Sequence, residues 1–455
     1  MSVLAASEEE PSTATTTTTT AATETTPSTT SSTTAESPSP SEATTAAPSL
    51  PDGFQKQDGE WLLYENGSVR KDYNGIVEGT IDGTKGWWRV VEGKADLTCN
   101  TVEQNEHGWW KCKDGKVDFT YTGIAENRHG WWRIVNGKVN FQCNTVEQNE
   151  YGWWKCKNGK VDFHYTGVAQ NQYGWWRIEN GKVNFRFSGL AQNEYGWWKL
   201  ENGKVNFKST GITENPYGFW YVKNGKVRFD YSGSVNDKGN SYTVTNGKVS
   251  GARLSVPSVS QTPGYPTGCE AASAAAFLRY YGYSVTVSEL VNAIPRQNLY
   301  WENGRKYGPS ITEKFVGDPR YTYTSSTPGY GAFSPVVTKA VNNVIASHGG
   351  NQKAVNVTGT SADDLTRYLN LGKPLIIWAT YNMNTPYTVN EWYIKTSSGD
   401  QYFSYPRGTH VMVLIGYTSS TITVMDPYGG SVKTFSRSAF NSKYQLLGQQ
   451  AIVMN

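Results

Sequence analysis

No run of apolar residues in this chain approaches the roughly 18 needed to cross a bilayer, so a spanning helix is excluded as its mode of attachment. Charge is sparse: 18% of the 455 residues are charged and the net charge is +3, with no Lys/Arg block. That removes the electrostatic footprint of a nucleic-acid binder. Cysteine and histidine are rare, five of each, so a site built on either has few candidates. They fall into no metal-ligand pattern, and neither a metal nor another cofactor is expected. The first seven residues lack the basic segment and full apolar stretch of a secretion signal; they read either as the tail of a trimmed one or as an added start. Attachment then falls to non-covalent contacts or to a partner. Aromatic surface, by contrast, is plentiful. The 17 Trp and 29 Tyr suit sugars, stacked cations or peptides better than phosphates.

The length calls for two or three units, and three regions are visible. Residues 1–52 are almost all Thr, Ser, Ala, Pro and Glu. Such a stretch buries too little apolar area to offset its ordering entropy, and a disordered stalk is expected. Residues 53–250 repeat every 22 residues: Trp87-Trp88, Trp109-Trp110, Trp131-Trp132, Trp153-Trp154, Trp175-Trp176 and Trp197-Trp198, then Phe219-Trp220. Each pair is followed by a turn such as Asn136-Gly137 or Asn158-Gly159, the strongest short signal for a two-residue hairpin. A unit therefore reads as strand, tight turn, strand and a connector such as 166–169. Degenerate units at both ends are what a capped stack needs. The expected architecture is a β-hairpin solenoid.

Four cysteines belong to these units. Cys99 and Cys143 replace an aromatic found at Tyr121, Tyr165 and Phe187; Cys112 and Cys156 replace Ile134, Ile178 and Leu200. The two replacements occur together or not at all. Disulfides Cys99–Cys112 and Cys143–Cys156 are therefore expected, each contributing on the order of 3 kcal/mol in the chain-entropy model and implying an oxidising setting. Metal binding is the rival, but no His or second Cys pair within a unit completes a ligand set.

Neighbouring side chains of a strand point to opposite faces, so one ring of each Trp pair packs inward and the other is free to line a groove. The ligand candidates are Trp109, Trp110, Trp131, Trp132, Trp153, Trp154, Trp175, Trp176, Trp197 and Trp198, as shallow sites acting together by avidity. The alternative is that both rings simply pack. The pattern resembles the cell-wall-binding repeats, related to choline-binding repeats, of Gram-positive surface proteins. That resemblance implies cell-wall glycan or teichoic acid as partner.

After Gly251 the period stops and residues 251–455 have ordinary globular composition, enough for an α+β core. Cys269 directly precedes a helix-favouring run, 271–281, that Gly282 ends. A thiol at a helix N-terminus is expected to have its pKa lowered from about 8.5 into roughly 3.5–7.5. An inert buried cysteine is the alternative. Among the histidines, His107, His129 and His164 are repeat positions, and His348 sits where a helix begun near Ser334-Pro335 would end. His410 remains. It opens an apolar strand, 411–417, and a turn and second strand end at Asp426-Pro427, which brings a carboxylate back near His410 if the two strands pair. Asp426 then orients the imidazole, unless it merely forms the turn before Pro427. Gln261 stands where a side-chain amide could assist an oxyanion, with a plain loop residue as the other reading.

The order Cys, His, Asp fits a papain-type layout. Gln261, the segment Tyr-Pro-Thr-Gly-Cys269-Glu-Ala-Ala-Ser, Gly408-Thr409-His410-Val411 and Asp426-Pro427 resemble the bacteriocin-leader-processing (double-glycine) peptidase-like family of papain-fold enzymes. The resemblance implies Cys269 as nucleophile, His410 as base, Asp426 as orienting residue and Gln261 as oxyanion donor. No transporter segment follows, so an exported leader is not the expected substrate.

Three functions follow from the whole. The first is a secreted, surface-held cysteine peptidase acting on peptides or proteins, positioned by the repeats. The second is a peptidoglycan hydrolase, endopeptidase or amidase, using the same triad. The third is an adhesin with an inactive peptidase-like domain. The aromatic stretches 300–330 and 381–405 are expected to form long loops around the cleft.

Overall fold

The computed structural model describes residues 50–386 and 390–455; nearly all of the Thr/Ser/Pro-rich segment expected as a stalk lies outside the described residues. Within 53–253, each repeat unit has three strands. In one, Gly123–Asn127 pairs antiparallel with Gly130–Val135, which pairs in turn with the two-residue strand Lys138–Val139. The segment expected as a connector is therefore the first strand. Gly, Ala and Asn are weak strand formers, and pairing supplies what propensity lacks. The turn at Asn136-Gly137 has positive φ at both residues, 49° and 78°, as a type I′ turn requires. Consecutive units join by backbone pairs such as Lys138 with Trp110 and Lys160 with Trp132, and so build the solenoid.

Alternation along the strand decides the fate of the Trp pair. The second ring of each pair is buried: Trp110, Trp132, Trp154, Trp176 and Trp198 are 8–9% exposed. Its indole N–H donates to an Asn of the same unit, as Trp132 does to Asn127 at 2.9 Å. A lysine from the following unit lies over the same ring, Lys138 at 5.1 Å from Trp110 and Lys160 at 5.5 Å from Trp132. These five rings, named among the ligand candidates, pack inside the units. The first rings, Trp109, Trp131, Trp153, Trp175 and Trp197, are half-buried between units. Trp131, for example, lies 5.9 Å from Tyr151, 5.5 Å from Phe163 and 5.0 Å from Trp154.

Cys99 meets Cys112 and Cys143 meets Cys156 inside their units, but all four are free thiols and the expected disulfides are not formed. Within each pair the neighbouring thiol pushes Cys99 and Cys143 below the ordinary thiol value and Cys112 and Cys156 above it.

The last strand of the array, Lys248–Arg253, runs straight into the second region. Ala252 pairs with Tyr417 and Arg253 with Gly416. The sheet there is antiparallel, in the order Ala354–Asn356, Ala451–Met454, Leu375–Thr380, Thr409–Tyr417, Thr421–Asp426 and Ser431–Ser436. A bulge at Ile415 frees its carbonyl, which accepts the N–H of Leu254 at 2.7 Å. Helix α1, Cys269–Tyr280, packs on one face with α2, Val287–Ala293, and α3, Ser334–Ser347. Its residues 271–276, all Ala or Ser, have no exposed surface and let it approach the sheet closely. Helices α4, Ala362–Asn370, and α5, Arg437–Leu446, cover the other face. Parts of the stretches expected as loops instead form a small sheet of Tyr300–Glu302, Arg305–Tyr307, Glu391–Thr396 and Gly399–Ser404.

Candidate active site

Cys269 is the first residue of α1, with Gly268 as its N-cap and no side chain capping the helix. The neighbouring strand Thr409–Tyr417 carries His410 and is tied to α1 by Ser273 Oγ, which donates to the Val411 carbonyl at 3.0 Å. Across the next strand pair Val413 faces Met425, which leaves Asp426 diagonal to His410. The imidazole Nε2 and the Asp426 Oδ1 are 2.6 Å apart. Both residues are buried, so the ring's orientation is fixed and Nδ1 is the nitrogen left to face a substrate or thiol.

Asp426 is held on several sides. Its Oδ1 accepts the Tyr428 N–H at 2.8 Å, and Lys433 Nζ lies 2.7 Å from its Oδ2. Burial pushes this carboxyl up, but His410, Lys433 and the backbone N–H outweigh it and leave it at about 2. It is therefore a carboxylate at any pH near neutrality. Tyr381 adds a ring 5.6 Å from His410, nearly perpendicular to it.

Gln261, Cys269 and His410 line one cavity of about 230 Å³. Gln261 is fixed there from two sides: its backbone N–H donates to Pro427 O and its Nε2 to Pro266 O, each at 2.9 Å. An amide nitrogen carries two hydrogens, so one stays available to the cavity. The rest of the lining includes Tyr323, Tyr330, Tyr381 and Tyr405, drawn from the two aromatic stretches singled out in the sequence, with Tyr428.

The state of the thiol differs from expectation. Burial pushes Cys269 well above its ordinary value, the Glu270 carboxylate adds to the rise, and an opposing hydrogen bond from the Val411 N–H does not reverse it. Desolvation outweighs the helix N-terminus here. The Cys269 thiol donates to Glu270 Oε2 at 3.3 Å, not to His410. Glu270 is the site residue that sequence reasoning missed. It is 1% exposed, its Oε1 accepts the Ala332 N–H at 2.8 Å, and burial raises it to about 7. Its one signal was position: a carboxylate next to the cysteine inside an otherwise small, apolar helix start.

The other histidines lie elsewhere. His348 caps the C-terminus of α3 and pairs with Glu289 at 3.1 Å, while His107 and His129 lie tilted against Trp87 and Trp109 in the repeats. His164 belongs to a repeat turn. Among the described residues no helix is long and apolar enough to cross a membrane.

Residues 253–452 match the Peptidase C39-like family. Six segments match the Choline-binding repeat: 99–118, 120–140, 144–162, 165–184, 186–206 and 208–228. The uncharacterized protein YvpB of Bacillus subtilis (strain 168) is 28% identical over 187 residues, 41% of this chain and 68% of that protein. Among solved structures, a C39-like peptidase from Bacillus anthracis is 28% identical, covering 44% of this chain and 94% of that one, with a TM-score of 0.37.

Proposed function

We propose that this chain, a Peptidase C39-like domain joined to an array of choline-binding repeats, is a secreted cysteine peptidase held at a bacterial cell surface by its repeats. One observation carries the catalytic half: Cys269, His410 and Gln261 line a single cavity, and Asp426 sits 2.6 Å behind the imidazole. In this reading a peptide entering the cavity displaces the thiol from Glu270. His410 Nδ1 takes the thiol proton, and the sulfur attacks the scissile carbonyl. The Gln261 amide and the Cys269 backbone N–H stabilise the oxyanion. The imidazolium, steadied by Asp426, returns the proton to the leaving amine, and water then releases the acyl group.

The surface half rests on the repeats, whose family name points to wall polymers as the partner: glycan or teichoic acid. The array and the peptidase domain share one core, which holds the cleft at a constant offset from whatever the repeats grip. That favours a second reading, hydrolysis of wall peptides themselves.

One incubation separates these readings. Wild type and Cys269→Ala are mixed in parallel with an unfolded protein and with purified sacculi. New peptide termini from the protein, absent with Cys269→Ala, support the first reading; released muropeptides support the second. No cleavage of either by wild type leaves an adhesin with a disused peptidase fold.

A further inference from the structure

The repeats are not all alike. Glu103 and Glu147 stand where the other units have Ala125, Ala169, Ala191 and Thr213. Each glutamate reaches an arginine of the preceding unit: Arg89 Nε to Glu103 Oε2 is 3.1 Å, and Arg133 Nε to Glu147 Oε2 is 2.9 Å. Arg177, whose partner position is Ala191, turns to Glu179 of its own unit. Beside each of these two glutamates the seam between units deepens into a pocket of about 350 Å³. That volume is at the low end for small-molecule sites.

The two linings correspond over a 44-residue offset. Arg89, Glu103, Gln104, Trp109, Asn127 and His129 line the first; Arg133, Glu147, Gln148, Trp153, Asn171 and Tyr173 line the second. The walls are braced. Arg89 and Arg133 also donate to the carbonyls of Gly75 and Gly123, at 3.2 and 3.3 Å. Asn127 and Asn171 donate to those of Val102 and Val146, at 3.0 and 3.3 Å.

We propose that these twin pockets each bind one neutral sugar ring of a polysaccharide, and that they are a site class distinct from the aromatic seam of the other units. A half-exposed Trp face takes the C–H side of a pyranose. The fixed guanidinium donates and the fixed carboxylate accepts, which matches hydroxyls that do both. Because the two charges compensate each other, a quaternary ammonium or a phosphate finds no net counter-charge. The first pocket also has Arg128, but the second has Gln172 there, so a shared ligand does not depend on that charge. Two sites on one rigid array bind a polymer by avidity.

The assignment rests on the surface-binding reading above and narrows it from wall polymer to glycan. The test is calorimetry of the full chain with two probes, chitotriose and maltotriose, with choline chloride as competitor. At least one trisaccharide should bind at two sites per chain, unaffected by choline. Glu103→Gln should leave one site and Glu103→Gln with Glu147→Gln none, a loss of about tenfold or more in affinity. Gln104→Ala with Gln148→Ala, which leaves the ion pairs intact, should weaken binding as well. Glu179→Gln, which breaks the ion pair of Arg177 in a unit without the glutamate, should change nothing. Absence of binding by both trisaccharides, choline competition, or insensitivity to both double variants overturns the assignment. Pelleting with purified walls keeps the two ideas apart. If the glutamate double variant pellets as wild type does, wall binding stands and the pockets are not its basis. If wild type fails to pellet yet binds trisaccharide at two sites, the pockets stand and the surface reading falls.

Discussion

Glu270 lies next to the proposed nucleophile in the chain and, through the Ala332 N–H, reaches the segment that leads into α3. Its carboxyl is raised by burial from 4.5 to about 7, so the fold favours the protonated form. The stability gained is complete below about pH 4.5 and is lost as pH rises through about 7. Glu270→Gln keeps the shape and removes the charge. It should therefore be more stable than the parent at about pH 8, by on the order of 3 kcal/mol, and indistinguishable at about pH 4. Denaturant melts at the two pH values check this, and equal stability at both would remove the burial cost. Cys269 and His410 could be reached from sequence because every other cysteine occupies a repeat position, and every other histidine a repeat position or a helix end. Glu270 could not, since what buries it comes from Ala332 and Tyr405, distant in the chain.

Within the repeat unit, turns were legible because Asn-Gly encodes positive φ locally. The first strand was not, because Gly-x-Ala-x-Asn becomes a strand only through pairing with the Trp strand. The Trp pairs were half legible: alternation says that one ring packs inward, but which one depends on the Asn and Lys that reach it from elsewhere. Cysteine covariation correctly found neighbours in space, yet adjacency does not make a bond. Cys143 also lies 3.9 Å from Glu147, so its unit carries a thiol pair and a pocket glutamate together. Oxidised protein should lose the free thiols of Cys99, Cys112, Cys143 and Cys156 and gain on the order of 3 kcal/mol per closed pair, reversed by reductant. Peptide mapping with thermal melts in the two redox states checks this. Pairs that stay reduced under oxidant, or close without effect, contradict it.

At the scale of the molecule, the composition break near residue 251 was legible, whereas the joint there was not. Phe219, Tyr221, Tyr242 and Val244 of the last repeats pack with Leu254, Leu365, Leu369 and Leu414 in one core. Buried Asn240 donates to Tyr280 Oη at 2.9 Å, and that hydroxyl donates to the Gly372 carbonyl at 2.7 Å. Arg367 grips Glu214 with two hydrogen bonds, at 2.9 and 3.1 Å, but this exposed pair adds little, about 0–1 kcal/mol. Composition reports where a repeat ends, not which side chains two regions share. A fragment of residues 251–455 should melt well below the same region in the full chain and expose apolar surface to a reporter dye, while 211–455 should recover most of the loss. Equal melting of 251–455 and the full chain would show that the shared core is not stabilising.

The central claim is that Cys269 acts through His410. Its most direct test is the rate of iodoacetamide alkylation at Cys269, read by peptide mass mapping across pH in wild type, His410→Ala and Glu270→Gln. Wild type should react at least about tenfold faster than His410→Ala near neutrality. Glu270→Gln should react faster still, its midpoint shifted to lower pH because the carboxylate that opposes the thiolate is gone. Equal and slow reaction in all three would contradict the account and leave Cys269 a buried, unassisted thiol.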